Sequence, residues 1–318
     1  MARPIVLGVV GDSGAGKTTL TRGLLRVLGL EHATRLNADD YHRYERRQRA
    51  ELGVTPLHPD SNHLDILTQH LVHLRRGEPV LKPVYDHRDG TLRPPAYVRP
   101  SRFLFVEGLL GYHTETLRTA HDVRVFLDPP EELRRAWKLK RDCTRRNYTT
   151  DEVLAELDRR EHDADEFIRP QRQHADILVS FRQGSHPAQL DADVVLRDGL
   201  PHPDISELFP PLGPAAGPSL VRRSDDLVLR IPGDVDPGYA TELEENVWAR
   251  MSFANHLRVR RLGELTVGTD LYRSESLALV QVLILYHLMW GHLDQAAGRA
   301  TTRAPGRRTS GDDSALFL

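Results

Sequence analysis

Gly11-Asp12-Ser13-Gly14-Ala15-Gly16-Lys17-Thr18 fits the G-x-x-x-x-G-K-[ST] spacing in full. Glycines at these positions let backbone N–H groups turn inward around phosphates, and a helix N-terminus behind them adds partial positive charge. Lys17 suits bridging the outer phosphates of a nucleoside triphosphate, Thr18 suits ligating Mg²⁺, and Thr19 carries the loop into the helix. A dinucleotide fingerprint fails because Gly14-x-Gly16 is not followed by Gly at position 19, and without an Asn-Lys-x-Asp tetrapeptide a guanine-reading GTPase is disfavoured. Further on, Asn37-Ala38-Asp39-Asp40-Tyr41-His42-Arg43-Tyr44-Glu45-Arg46-Arg47 packs carboxylates beside a histidine and several arginines. An attacking hydroxyl needs a carboxylate to take its proton, and a phosphorylated acceptor needs cations to hold it. Asp39 or Asp40 suits the first task, His42 and Arg46 the second. Phe103–Gly108 is an apolar run ending in Glu107, the expected form of a second metal-site acid. Lys138, Arg141 and Arg146 form a cationic cluster suited to stabilising phosphoryl charge from a closing lid. The cluster Lys82-Pro83-Val84-Tyr85-Asp86-His87 is polar but says little alone.

These residues need elements to hold them. The β-branched run from Ile5 to Val10 leads into the glycine turn, and Leu20, Leu24 and Leu28 then share one helical face. Phe103–Val106, Val123–Leu127 and Ile177–Phe181 read as buried strands of a parallel sheet with helices between them. Thr149 and Glu152 form a capping box opening a helix over Asp151–Phe167 with a solvated face. From about Ser185 the texture changes. Val194–Leu196 and Leu227–Leu229 suggest strands around the Pro/Gly-rich stretch from Pro201 to Pro218, and Leu277–Leu293 reads as an apolar helix, buried within the subunit or between subunits. The expected organisation is a phosphate-loop domain with acceptor site and lid over 1–184, a C-terminal extension packed on it over 185–297, and a disordered tail over 298–318.

The chain has 318 residues with Lys+Arg 43 against Asp+Glu 45, a net charge of -2, so no global field points to nucleic acid or an anionic membrane. Anion binding must be local. The excess of arginine over lysine reads as genomic base composition. The single cysteine, Cys143, excludes an internal disulfide and a four-cysteine metal site, and fits a reducing cytoplasm. The start lacks the pattern of a signal peptide. The longest apolar run, Leu277 to Trp290, is broken by Gln281 and His287 and is too short and polar for a membrane span.

In order, these segments resemble the phosphoribulokinase and uridine kinase family, and within it the phosphoribulokinase branch. The likeness rests on the phosphate loop, Asp39-Asp40-Tyr41-His42 with Arg46, Asn62-x-x-Asp65, Lys82-Pro83-x-Tyr85-Asp86-His87-x-x-Gly90, Glu107-Gly108-Leu109, Trp137-Lys138-x-x-Arg141-Asp142 and Pro170-Gln171. It covers residues 4 to 181. Several of these are shared with uridine kinases, whereas Asp-Asp-Tyr-His with its Arg and Trp-Lys-x-x-Arg-Asp are more particular to the phosphoribulokinase branch. More loosely, Leu196-Arg197 and His202-Pro203 resemble the extension of the longer, dimeric members.

The resemblance implies an α/β fold, a P-loop NTPase-type three-layer sandwich around a mainly parallel sheet with a smaller C-terminal α+β extension. It implies ATP as donor, Mg²⁺ as cofactor, and transfer to the C1 hydroxyl of D-ribulose 5-phosphate, giving D-ribulose 1,5-bisphosphate. On matching positions Asp39 is the base, assisted by Lys17 and Arg141. His42 and Arg46 are sugar-phosphate contacts, with Lys82, Tyr85, His87, Lys138 and Arg146 also toward the substrate, and Thr18 and Glu107 serve the metal. A homodimer is implied as well. Asn147 stands where the family's lid usually has Gly, a small change because Asn tolerates a left-handed turn. The phosphate loop lacks the cysteine of photosynthetic members, so their thioredoxin switch is not expected. A nucleoside acceptor, another sugar phosphate as acceptor, and a non-catalytic ATP-binding regulator are the competing readings. The cationic cluster disfavours the nucleoside, and intact Lys17, Thr18, Asp39 and Glu107 disfavour the regulator.

Overall fold

Alternate side chains of the first strand enter different cores: Ile5, Leu7 and Val9 join one cluster, Val6 a second and Val10 a third. A strand buried on both faces belongs inside a sheet covered by helices. The computed structural model describes residues 3–146, 148–186, 189–197, 205–209, 217–251, 254, 262–267 and 270–296. The chain runs β1 (Ile5–Gly11), α1 (Lys17–Leu28), β2 (Ala33–Asn37), α2 (Arg46–Leu52), α3 (Leu64–Arg75), β3 (Val80–Asp86), β4 (Thr91–Val98), β5 (Phe103–Gly108) and α4 (Glu115–Thr119). It continues with β6 (Val123–Leu127), α5 (Glu131–Arg145), α6 (Thr150–Asp163), β7 (Ile177–Gln183), β8 (Leu190–Leu196), β9 (Ser219–Arg223) and β10 (Asp226–Ile231). The last described elements are α7 (Pro237–Arg250), β11 (Glu264–Val267), β12 (Asp270–Arg273) and α8 (Glu275–Ala296).

Eight strands form one sheet in the order β2-β5-β1-β6-β7-β8-β10-β9. The pairs from β2 to β7 are parallel, and those from β7 to β9 are antiparallel. One face carries α1, α7 and α8 over the largest apolar cluster; the other carries α3, with Leu67, Leu71 and Leu74 against Val6, Leu104 and Val106. This is the expected three-layer α/β sandwich. The sheet runs unbroken past residue 184: β8 pairs with β7 from Ile177↔Leu196 to Gln183↔Leu190, and β10 pairs with β8. Val194–Leu196 and Leu227–Leu229 are therefore strands of the same sheet as the phosphate loop. The expected apolar helix is α8, whose residues Leu277 to Met289 are buried within the subunit without a break, Gln281 and His287 included. His202-Pro203, Asn147 and the tail over 298–318 lie outside the described residues.

The capping box is present: the Thr149 hydroxyl accepts from the Glu152 N–H at 3.3 Å, and the Glu152 carboxylate accepts from the Thr149 N–H at 2.8 Å. The regular helix ends at Asp163, short of Phe167, and widens into a π turn over Ala164–Ile168. Pro170 explains this, since proline lacks an N–H and its ring crowds the carbonyl one turn back. Among the described residues no helix is long and apolar enough to cross a membrane.

Candidate active site

The phosphate loop joins β1 to α1, and Gly14 and Gly16 hold φ of 94° and 95°, left-handed values that favour glycine. A Cβ on Gly14 would also come within 2.9 Å of the Lys138 Cβ. No side chain caps α1, so its first N–H groups stay open to an anion. Lys17 Nζ donates to the carbonyls of Gly11 at 2.7 Å and Asp12 at 3.0 Å. Burial lowers its pKa, against the opposing pull of Asp39 and Asp12. The Asp12 carboxylate itself turns away, 3.2 Å from Arg134.

Residues Ser13 to Thr19 line a cleft of about 830 Å³ that also takes in Asp39, His42, Arg46, Tyr85, His87, Glu107, Arg141 and Arg146. A short 3₁₀ turn over Ala38–Tyr41, capped by Asn37, sends two neighbouring carboxylates apart. Asp39 reaches the cleft, with Oδ1 accepting from the Leu109 N–H at 2.9 Å. Asp40 is buried, ion-paired to Lys82 and accepting from the Tyr85 N–H at 3.3 Å. Of these two acids, Asp39 faces the cleft and Asp40 does not.

His42 is 4% exposed and packs edge-on against Tyr85. Burial, then Arg49, lowers its pKa to about 4, so the ring is neutral near pH 7. Asn62 Nδ2 donates to the carbonyls of Pro56 at 3.0 Å and His58 at 2.9 Å, which turns Asn62 Oδ1 toward His42 Nδ1 at 2.7 Å. Nδ1 therefore carries the proton, and Nε2 is an acceptor. His87, also in the cleft, has its pKa lowered by burial and by Arg146 and Arg141.

Arg46 opens α2 and donates to the carbonyls of His87 at 2.7 Å and Arg88 at 3.3 Å, with Tyr148 beneath its guanidinium at 5.5 Å. Arg49, one turn on, donates to the Tyr85 hydroxyl at 2.6 Å and lines the same cleft. Sequence reasoning missed Arg49 and Tyr148. The i,i+3 spacing of Arg46 and Arg49 on a helix was the available signal for the first.

Over the phosphate loop, Asp142 gathers three cations: Lys138 at 3.0 Å, Arg141 at 2.8 Å and Arg146 at 3.4 Å. Burial opposes ionisation of Asp142, but these cations outweigh it and hold the carboxyl down at about 2. Arg141 also reaches Ser13 Oγ at 3.4 Å. Lys138 is 1% exposed and paired to Asp142 and Glu156, and Lys82 is committed to Asp40; neither lines the cleft. A buried ammonium needs a carboxylate partner, and both lysines have found one inside the protein.

Glu107 ends β5 beside the loop. One carboxylate oxygen takes the Thr21 hydroxyl at 2.7 Å, and the other lies 3.5 Å from the Thr18 hydroxyl and pairs with Arg35. Arg35 and Thr21 were not foreseen. Among the described residues no three His, Cys, Asp or Glu side chains converge on a metal position. The Thr18 and Glu107 oxygens still fit Mg²⁺, a hard cation that takes one or two protein oxygens and fills its shell with water and substrate phosphates.

A phosphate loop on a mainly parallel sheet, with an acid and cations across one cleft, defines a P-loop nucleotide-site architecture. Residues 6–185 match the model of the "Phosphoribulokinase / Uridine kinase family", more than half of the chain. The chain belongs to that family. It is 38% identical over 177 residues to phosphoribulokinase from Synechocystis sp., covering 56% of this chain and 53% of that protein. It is 31% identical over 194 residues to a uridine kinase from Geobacillus sp., covering 58% of this chain and 88% of that protein. In sequence the chain spans about half the length of the curated phosphoribulokinases it matches, at 53%, 50% and 49% of three of them. In fold it is similar to phosphoribulokinase from Rhodobacter spheroides, with a TM-score of 0.58 at 20% identity over 81% of this chain and 99% of that one.

Proposed function

We propose that this protein transfers the γ-phosphoryl group of ATP to the C1 hydroxyl of D-ribulose 5-phosphate, giving D-ribulose 1,5-bisphosphate and ADP. The observation that carries this is one cleft in which the phosphate loop faces Asp39 across a floor of His42, Arg46, Arg49, His87, Arg141 and Arg146. In this reading the C1 oxygen forms the new bond to phosphorus, the bond from that phosphorus to the β,γ-bridging oxygen breaks, and the hydroxyl proton goes to Asp39. The Leu109 N–H holds Asp39 Oδ1, leaving Oδ2 for that proton. Lys17 and Arg141 stabilise charge on the phosphoryl oxygens. Arg46 and Arg146 hold the sugar phosphate, and neutral His42 accepts a hydrogen bond from a sugar hydroxyl through Nε2. Thr18 and Glu107 would hold Mg²⁺, which neutralises phosphate charge when bound.

The sibling activity in the family is uridine phosphorylation, but an uncharged nucleoside would leave this much cationic lining without a partner. We further assign the protein to the cytoplasm as a homodimer; among the described residues β9 ends the sheet, and an edge strand is a place where a second copy can pair, with gel filtration reading the outcome. ADP release with Mg-ATP tests the reaction, comparing ribulose 5-phosphate, ribose 5-phosphate, uridine and no acceptor. Turnover confined to ribulose 5-phosphate is expected. Turnover with uridine would overturn the acceptor assignment, and silence throughout would favour a non-catalytic ATP-binding protein.

A further inference from the structure

Glu107 is 3% exposed, and its two carboxylate oxygens have different company. The Thr21 hydroxyl donates to Oε2 at 2.7 Å. Oε1 is the oxygen toward the phosphate loop, 3.5 Å from the Thr18 hydroxyl, and it is also the one to which the Arg35 guanidinium donates. Strand register brings Arg35 there. Asn37 pairs with Glu107 across β2 and β5, and Arg35 stands two places earlier on β2, so Arg35 and Glu107 leave the same face of the sheet. A carboxylate taken out of water needs a counter-ion, and Arg35 supplies it.

That same oxygen is the one a divalent cation at Thr18 would take. Arg35 and such a cation are drawn to a single atom, and their like charges repel at that distance. Arg22, one turn beyond Thr18 on α1, also lines the cleft and adds its own repulsion to Arg35. Arg35 is free to yield: among the described residues β2 ends the sheet, and the Arg35 side chain is 44% exposed. Glu107 is not, because Thr21 holds its other oxygen. We infer that Arg35 is a built-in competitor for the metal-site acid. It neutralises Glu107 until a metal-bound nucleotide enters, then gives way, and so sets the divalent-cation concentration at which the nucleotide site fills. The inference rests on the proposed function only in placing a metal-bound nucleotide at Thr18 and Glu107.

Titration calorimetry of ADP on the full chain, once with saturating Mg²⁺ and once with a chelator, tests it; the ratio of the two affinities is the gain that the metal contributes. Arg35→Leu should enlarge that gain by about tenfold, and Arg35→Lys, which keeps the charge on a different head group, should enlarge it less. A gain unchanged or reduced in Arg35→Leu would overturn the inference. Removing a positive charge also acts on the nucleotide directly, so Glu107→Gln supplies the control. In that background Arg35→Leu should alter the gain by less than about twofold. A tenfold change that persists there does not pass through Glu107 and sinks the proposal. Thermal unfolding gives a second reading: with chelator Arg35→Leu should melt below the unaltered protein, because the Glu107 carboxylate loses its counter-ion, and Mg²⁺ with ADP should narrow the gap. A gap of equal size in both conditions would count against the competition. No acceptor is present, so an error in the acceptor assignment does not touch these measurements.

Discussion

Asp39 and Asp40 are adjacent in the chain and different in task. One carboxylate looks into the cleft with the Leu109 N–H behind it; the other is buried against Lys82. Asp39→Asn should keep ATP binding and lower kcat by about 10²- to 10⁴-fold, the usual contribution of a positioned base. Near-normal turnover in single-turnover assays would remove Asp39 from that role. Asp40→Asn should instead lower the unfolding midpoint, because it strands the Lys82 ammonium in the interior. The sequence could name the pair but not separate them, since a 3₁₀ turn directs consecutive side chains about 120° apart and nothing local shows which one points inward. The same limit hid the charge state of His42. Its folded pKa, about 4, lies below the ordinary value of 6.5. As pH falls from 6.5 toward 4 the unfolded chain takes up a proton that the folded one refuses, so stability drops through that window and levels off below it. Denaturant unfolding at successive pH values should show His42→Gln losing less over the window than the unaltered protein, by up to about 3 kcal/mol.

At the scale of elements, local signals were readable and partners were not. The strand, glycine turn and helix around Lys17 and the box at Thr149 each depend on residues a few positions apart, and the structure forms both. The direction of β8 follows from how few residues separate Gln183 from Leu190, too few for the crossover that a parallel return from β7 would need. That short link was the signal for a shared sheet, masked by the change in texture at Ser185. Helix pairing was hidden entirely. Gly23 on α1 lies under Gln281 of α8, and a Cβ there would fall inside the carboxamide. Gly23→Ala should therefore destabilise the fold by about 1–3 kcal/mol despite alanine's better helix propensity. Thermal unfolding distinguishes the outcomes: a raised midpoint would mean that α8 yields easily.

Across the whole molecule, residues after 184 complete the structure that carries the phosphate loop. The antiparallel strands β8, β10 and β9 extend its sheet, and α8 packs on α1 and β1. A chain cut after Gly184 exposes Phe181 and Val179 along with the α8-facing side of α1, apolar surface that globular proteins rarely leave open. It should aggregate or bind a hydrophobic dye, with a broadened thermal transition. A sharp transition and intact ATP binding would show that 1–184 folds alone. A two-unit organisation was the natural reading because composition changes where the sheet does not.

The contact between Gln281 and the first turn of α1 also sets an order of events at the ribosome. The Lys17 loop is translated well before the helix that braces it, Gln281 following Leu20 by 261 positions. A growing chain thus carries its nucleotide cradle through the synthesis of everything between α1 and α8 before the brace arrives, leaving an apolar flank of α1 for chaperones to shield in the interval.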